Sequence, residues 1–192
     1  MSKLFPISFL LASAFVAGAA ASAATPSAVA ANAPAGVDRT TQGDWVVQCV
    51  NREGVPPCEM LQGAARKDTQ EQIMRVSLAY GGAVDRYAIQ IRVPLGVRLN
   101  EGPIVRIDDK ENLNGYAFTR CDAEGCYVER LLTGAEIERF RAAKSAVVAV
   151  VSEEGKPLVL PMSFNGFGNA IGSVVQRNTQ WAKANPKTIA AQ

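Results

Sequence analysis

The stretch Tyr116-Ala-Phe-Thr-Arg-Cys-Asp-Ala-Glu-Gly-Cys-Tyr-Val-Glu-Arg130 constrains the fold more than any other part of the chain. Two β-prone arms flank Asp122-Ala123-Glu124-Gly125, a polar loop ending in glycine, and that arrangement reads as a hairpin. Antiparallel arms set Cys121 opposite Cys126 where they leave the loop, within the reach of a disulfide. Whether the two thiols join depends on the compartment, and the other end of the chain bears on that.

Residues 1–24 begin with a lone basic residue, Lys3, and continue through an apolar run from Leu4 to Val16 into small residues. Ala21-Ser22-Ala23 or Ser22-Ala23-Ala24 would serve as a cleavage site, so the segment reads as a secretory signal peptide cut after Ala23 or Ala24. Its apolar core is too short and too rich in alanine to be read as a membrane anchor. No cysteine stands at the cleavage point, which argues against a lipoprotein. The expected product is periplasmic or secreted, with no transmembrane segment.

Export sets the expectation for the four cysteines, which pair in an oxidising compartment. Three connectivities are open. Proximity favours Cys49–Cys58 and Cys121–Cys126, worth about 2.7 and about 2.2 kcal/mol in the chain-entropy model. A long-range bridge such as Cys49–Cys121 would be worth about 4.4 kcal/mol, so energy does not select the local pattern. Hairpin geometry favours it.

Composition removes most chemistries. Without Lys3, the 20 basic residues become 19 against 18 acidic ones, which is no electrostatic footprint for nucleic acid. The chain has 0 histidines. Ser-His-Asp and Cys-His catalysis and His-ligated zinc are therefore excluded. No glycine-rich phosphate loop or EF-hand loop is present, and no catalytic residue, metal ligand or cofactor is expected.

Residues 25–41 are rich in alanine and proline and read as a disordered leader. Order is expected over 42–178. Trp45, Val47 and Cys49 alternate onto one face of a strand, with Trp45 as a core anchor. Asn51–Pro57 is a loop, and Cys58–Ala64, Ile73–Tyr80 and Tyr87–Val93 are strands. In the last of these Tyr87, Ile89, Ile91 and Val93 alternate with Ala88, Gln90 and Arg92. Val97–Leu99 and Ile104–Asp108 precede the hairpin. Thr133-Gly-Ala-Glu136 fits a capping box that starts a helix to about Ala143, burying Ile137 and Phe140. Ala146–Val151 and Leu158–Met162 are strands, and Asn165 to about Val175 has helical spacing. Residues 179–192 read as a flexible tail. The pattern is all-β, a sandwich with two short helices, with a closed barrel as the alternative.

Taken in order, Trp45, Cys49, Cys58-x-Met60-x-Gln62, Pro94-Leu-Gly-Val97, Ile107-Asp108, Cys121-x-x-x-Gly125-Cys126 and Ser163-Phe-Asn-Gly166-Phe167 with Ala170 resemble the invasion-associated locus B family. The resemblance spans about 42–176. It implies an immunoglobulin-like β-sandwich, periplasmic or envelope-associated in alphaproteobacteria, in a family named for host-cell invasion. It carries over no catalytic residues. Phe164-Asn165 departs from the family's usual Leu-Lys.

Three functions follow as readings. The first is a non-enzymatic envelope protein binding an envelope or host-surface protein or another cell-surface component, since sandwich end loops vary freely. The second is an enzyme using adjacent carboxylates, for which Asp108-Asp109 and Glu153-Glu154 are the candidates. Both lie at strand ends, where solvated acidic turns are ordinary. The third is thiol–disulfide chemistry at Cys121 and Cys126, for which C-x-x-C at a helix start is the usual arrangement, not four residues in a hairpin.

Overall fold

The computed structural model describes residues 24–27, 36–82 and 85–186. In chain order the strands are β1 (Ala24–Ser27), β2 (Val37–Gln42), β3 (Trp45–Val50), β4 (Cys58–Arg66), β5 (Gln72–Tyr80), β6 (Tyr87–Val93), β7 (Ile104–Ile107), β8 (Glu111–Leu113), β9 (Phe118–Asp122), β10 (Gly125–Leu132), β11 (Ser145–Val151) and β12 (Pro157–Ser163). Helix α1 (Gly134–Ala142) lies between β10 and β11, and α2 (Phe167–Ala184) follows β12.

The strands make two antiparallel sheets, not a closed barrel. The larger has the order β2-β3-β4-β5-β6-β10-β9, with β1 paired to β4. The smaller has the order β12-β11-β7-β8. Period-two alternation decides which face each sheet buries. Val47, Met60, Leu78 and Ile89 stand in register across four strands of the larger sheet. In the smaller sheet Val105, Val148 and Leu160 do the same. All seven are buried in one core, which Phe167, Ala170, Ile171 and Val174 of α2 complete. Each such aliphatic side chain contributes about 1.5–3 kcal/mol on leaving water.

A polar joint is built into this core. Gln62 is fully buried and satisfied: its Oε1 accepts from the Ser163 amide at 2.7 Å, and its Nε2 donates to the carbonyls of Ser163 at 3.1 Å and Asp44 at 3.3 Å. The Trp45 indole N–H donates to the same Ser163 carbonyl at 2.9 Å. The Ser163 hydroxyl donates to the Asp44 carboxylate at 2.6 Å. Residues 101 to 119 positions apart are thereby locked together, joining β3 and β4 to the end of β12. Gly166 closes the joint. Its φ is +79°, and a Cβ there would lie 2.0 Å from the Gln42 carbonyl oxygen. No other residue type fits.

The capping box at α1 is formed as the sequence predicts: the Thr133 hydroxyl accepts from the Glu136 amide, and the Glu136 carboxylate accepts from the Thr133 amide. Ile137 and Phe140 are buried. Phe164, at the position departing from the family pattern, stacks on Phe140 with ring centroids 5.6 Å apart.

Four expectations need correction. Residues 37–41, expected within the disordered leader, form strand β2 together with Gln42, paired along its length to β3. The leader's alanine and proline stop at Gly36; Val37, Thr40 and Thr41 are β-branched, and β3 offers them an open edge. Ala24–Ser27 also pairs, with β4. At the other end α2 runs to Ala184, nine residues past its expected stop at Val175 and six residues into the expected flexible tail 179–192, because Asn178 and Ala182 continue its buried stripe. Val97–Leu99 is no strand: Val97 makes one bridge, to Ser152, and Leu99 is exposed. The expected signal peptide lies outside the described residues except for Ala24.

Candidate functional site

The residues that alternate with the core positions of the larger sheet face outward, and the register sets them in rows. Arg75, Arg92, Tyr127 and Arg120 form the first row across β5, β6, β10 and β9. Ser77, Gln90 and Glu129 form the second. Glu59, Ala79, Ala88 and Leu131 form the third. Together they floor an open groove of about 630 Å³. A second groove of about 400 Å³ continues from its third row, walled by Val55, Pro56 and Tyr87. Arg52, Ala79, Ala88 and Leu131 belong to both.

Each end of this face carries a loop closed by a disulfide. Cys49 and Cys58 are joined, with Cα atoms 4.1 Å apart, at the base of the loop that brings Arg52 and Val55 to the groove. Cys121 and Cys126 are joined, with Cα atoms 4.0 Å apart, next to the turn that carries Glu124. That turn is tighter than the sequence predicts, since Asp122 pairs directly with Gly125. Gly125 is required there because a Cβ would lie 2.3 Å from the Val93 carbonyl oxygen. From Arg75 to Tyr80 the face runs roughly 17 Å along β5.

The charges on the face are unevenly spent. Arg120 stacks over the Tyr127 ring, 3.7 Å from its centroid, and pairs with Asp122 at 2.7 Å. The Glu124 amide donates to Asp122 and, with Arg120, holds that carboxyl below its usual range. Arg92 reaches Glu124 at 3.3 Å and Gln72 at 2.8 Å. Glu129 accepts from Gln90 at 2.8 Å and from Thr119 at 3.2 Å. Glu59 accepts from Ser77 and from Gln48. Arg75 stands directly opposite Arg92, and its side chain has no ion pair or hydrogen bond among the described residues. Facing like charges are unfavourable in a sheet, so this pair gives the fold nothing.

The carboxylate pairs lie elsewhere, in turns. Asp108 and Asp109 have φ of 50° and 55° after β7. The Asp108 carboxylate accepts from the amides of Lys144 and Ser145 at 2.8 and 3.0 Å, and those two bonds hold it below the usual carboxyl range. Glu153 and Glu154 sit in the β11–β12 turn, where the Ser152 hydroxyl donates to Glu154 at 2.7 Å and lowers its carboxyl likewise. The arginine row was not among the sequence candidates. The outward parity of Gln90 and Arg92 was legible, but which residues stand beside them depends on register across strands far apart in sequence.

Among solved structures, the chain is similar to the crystal structure of invasion associated protein B from Bartonella henselae, with a TM-score of 0.64 and 22% identity. That likeness covers 72% of this chain and 95% of the other and concerns the fold. No curated protein matches the chain. The family model described as Invasion associated locus B (IalB) protein matches residues 45–175. That span takes in Trp45, both disulfides, the Gln62–Ser163 joint and the groove floor, and with well over half of its length matched the chain belongs to the invasion-associated locus B family.

Proposed function

We propose that this protein is an exported, non-enzymatic, envelope-associated binding protein that holds a protein or cell-surface component in the outer groove of its larger sheet. The observation that carries the reading is the Arg75–Arg92 pair, two facing cations on a concave surface, one of them without an ion pair or hydrogen bond among the described residues. Structure alone does not call for that arrangement, whereas a ligand would. Both disulfides and the signal-like N-terminus support an oxidising, extracytoplasmic location. Among the described residues, no helix is long and apolar enough to cross a membrane. The non-enzymatic part is supported by Asp108, whose carboxylate is committed to backbone amides. A host-surface protein is one partner the reading admits.

The test is photo-cross-linking in the exporting cell. A benzophenone amino acid at Ala88, on the groove floor, should yield discrete adducts. The same group at Val159, exposed on the smaller sheet, should not. Absence of adducts at Ala88, or the same adducts at both positions, would overturn the reading.

A further inference from the structure

We infer that the groove takes an extended polypeptide segment carrying a carboxylate at one end and an apolar side chain four residues further on; this rests on the binding role proposed above. Three features of the face lead to that chemistry.

The first is where the unspent charge lies. Glu59 and Glu129 are occupied by hydroxyl and amide donors of the sheet, and Arg120 by Asp122 and the Tyr127 ring. What remains on the first row is Arg75, beside Arg92, whose own partners are Gln72 and the exposed Glu124; Arg52, on the rim shared by the two grooves, also has no ion pair or hydrogen bond among the described residues. A guanidinium presents a planar fork that matches a carboxylate bidentately. The molecule already places one carboxylate here. Glu124 approaches Arg92 at 3.3 Å and the Tyr127 hydroxyl at 3.4 Å, long contacts from a side chain that is 72% exposed. A ligand carboxylate would sit between Arg75 and Arg92, displacing Glu124 or lying beside it.

The second is the apolar end. Leu131 is 63% exposed and Val55 40% exposed, and both line the smaller groove with Pro56 and Tyr87. Leu131 pairs with Ala88, four residues from Arg92 on the same strand. Four residues of extended chain span roughly 13 Å, so a peptide aligned with the strands brings both ends into place together. Arginine and tyrosine floors with an apolar anchor site are the usual make-up of protein-binding surfaces.

The third feature excludes an anionic lipid surface. Glu59, Glu124 and Glu129 share the groove with the arginines and would repel a sheet of phosphates. The groove is also open, with no enclosed channel for an acyl chain. A single carboxylate on a polypeptide meets the Arg pair and only one of those acids, Glu124, which is exposed and able to move aside.

A library of random twelve-residue peptides selected against the purified mature protein tests this directly. Selected peptides should be enriched in Asp or Glu four residues from Leu, Ile, Val, Phe or Met. Arg75→Gln should weaken binding of a selected peptide by about tenfold or more, the scale of a lost charge-assisted hydrogen bond. Leu131→Ser should remove the apolar preference and keep the acidic one. Both sites are on the surface, and unchanged thermal melting would show that each variant folds. Selection of peptides without an acidic position, equal binding by Arg75→Gln, or Arg75-dependent binding to phosphatidylglycerol vesicles would each overturn the inference. If adducts form at Ala88 in cells while selection returns non-acidic peptides, the ligand class is wrong and the binding role stands. If adducts are absent as well, both fall.

Discussion

The side-chain amide of Asn178 holds both backbone polar groups of Cys58, 120 residues away: its Oδ1 accepts from the Cys58 amide at 3.0 Å and its Nδ2 donates to the Cys58 carbonyl at 2.8 Å. The same Nδ2 also donates to the Tyr80 carbonyl at 2.9 Å. One fully buried residue of α2 thus satisfies the start of β4 and the end of β5 where the sheet ladder has run out. Replacing it by Leu leaves a buried N–H and two carbonyls unpartnered. Each costs about 1–3 kcal/mol, so Asn178→Leu should lower unfolding free energy by at least about 3 kcal/mol. Urea denaturation measures it. A chain ending before Asn178 should not fold cooperatively.

Glycine substitutions should sort by what surrounds them. Gly54 and Gly166 have similar φ, +74° and +79°, but a Cβ at Gly54 meets nothing within 4 Å. Gly54→Ala should cost about 1–2 kcal/mol, the left-handed backbone penalty alone. Gly166→Ala must also separate its own turn from the Gln42 carbonyl, and should cost more than about 4 kcal/mol or abolish folding. Parallel thermal melts decide it.

The disulfides give a third expectation. Alkylation of the native protein folded under oxidising conditions should label no thiol, and its mass should fall short of the reduced chain by four hydrogens. Replacing Cys121 and Cys126 together by Ala should destabilise the fold by about 2 kcal/mol in the chain-entropy model. One or two labelled cysteines in the native protein would reject the pairing.

Acid should weaken two local ties in a predictable direction. Asp108 is held below the usual carboxyl range by the amides of Lys144 and Ser145. Burial works against the charge of Glu136, but the Thr133 amide and Arg130, 2.5 Å away, outweigh it and lower that carboxyl too. A carboxyl lowered in the folded state stabilises above its unfolded pKa, and the contribution is lost as pH falls through the folded value. The difference in melting temperature between the native protein and Asp108→Asn should therefore be constant near neutrality and shrink below about pH 4. A difference that persists or widens in acid contradicts the assignment. Any binding phenotype should survive Asp108→Asn with Asp109→Asn, because both lie in a turn.

The sequence revealed what depends on neighbours and hid what depends on register. The capping box of Thr133 and Glu136 is complete within four residues, and the alternation of Tyr87, Ile89, Ile91 and Val93 fixes the buried face of β6 without knowledge of its partners. Residues 37–41 of β2 were missed because an alanine- and proline-rich average was extended over five residues of different character. Asn178 fell beyond the expected helix end near Val175 because its three partners, Cys58 and Tyr80 backbone groups, lie about a hundred residues upstream. Arg75 and Arg92 are ordinary outward residues until strand pairing sets them face to face.

The two closed loops at the ends of the groove have a consequence for timing. Cys49–Cys58 and Cys121–Cys126 each close a rim, one bearing Arg52 and the other Glu124, while the floor between them is held by sheet pairing and by the core beneath it. Without the bridges the floor and the tight turn bearing Glu124 keep their ladder pairing, whereas the longer loop bearing Arg52 loses the tie at its base. Under the extracytoplasmic binding role proposed above, that rim would take its final shape only after oxidation, in the compartment where the ligand is met.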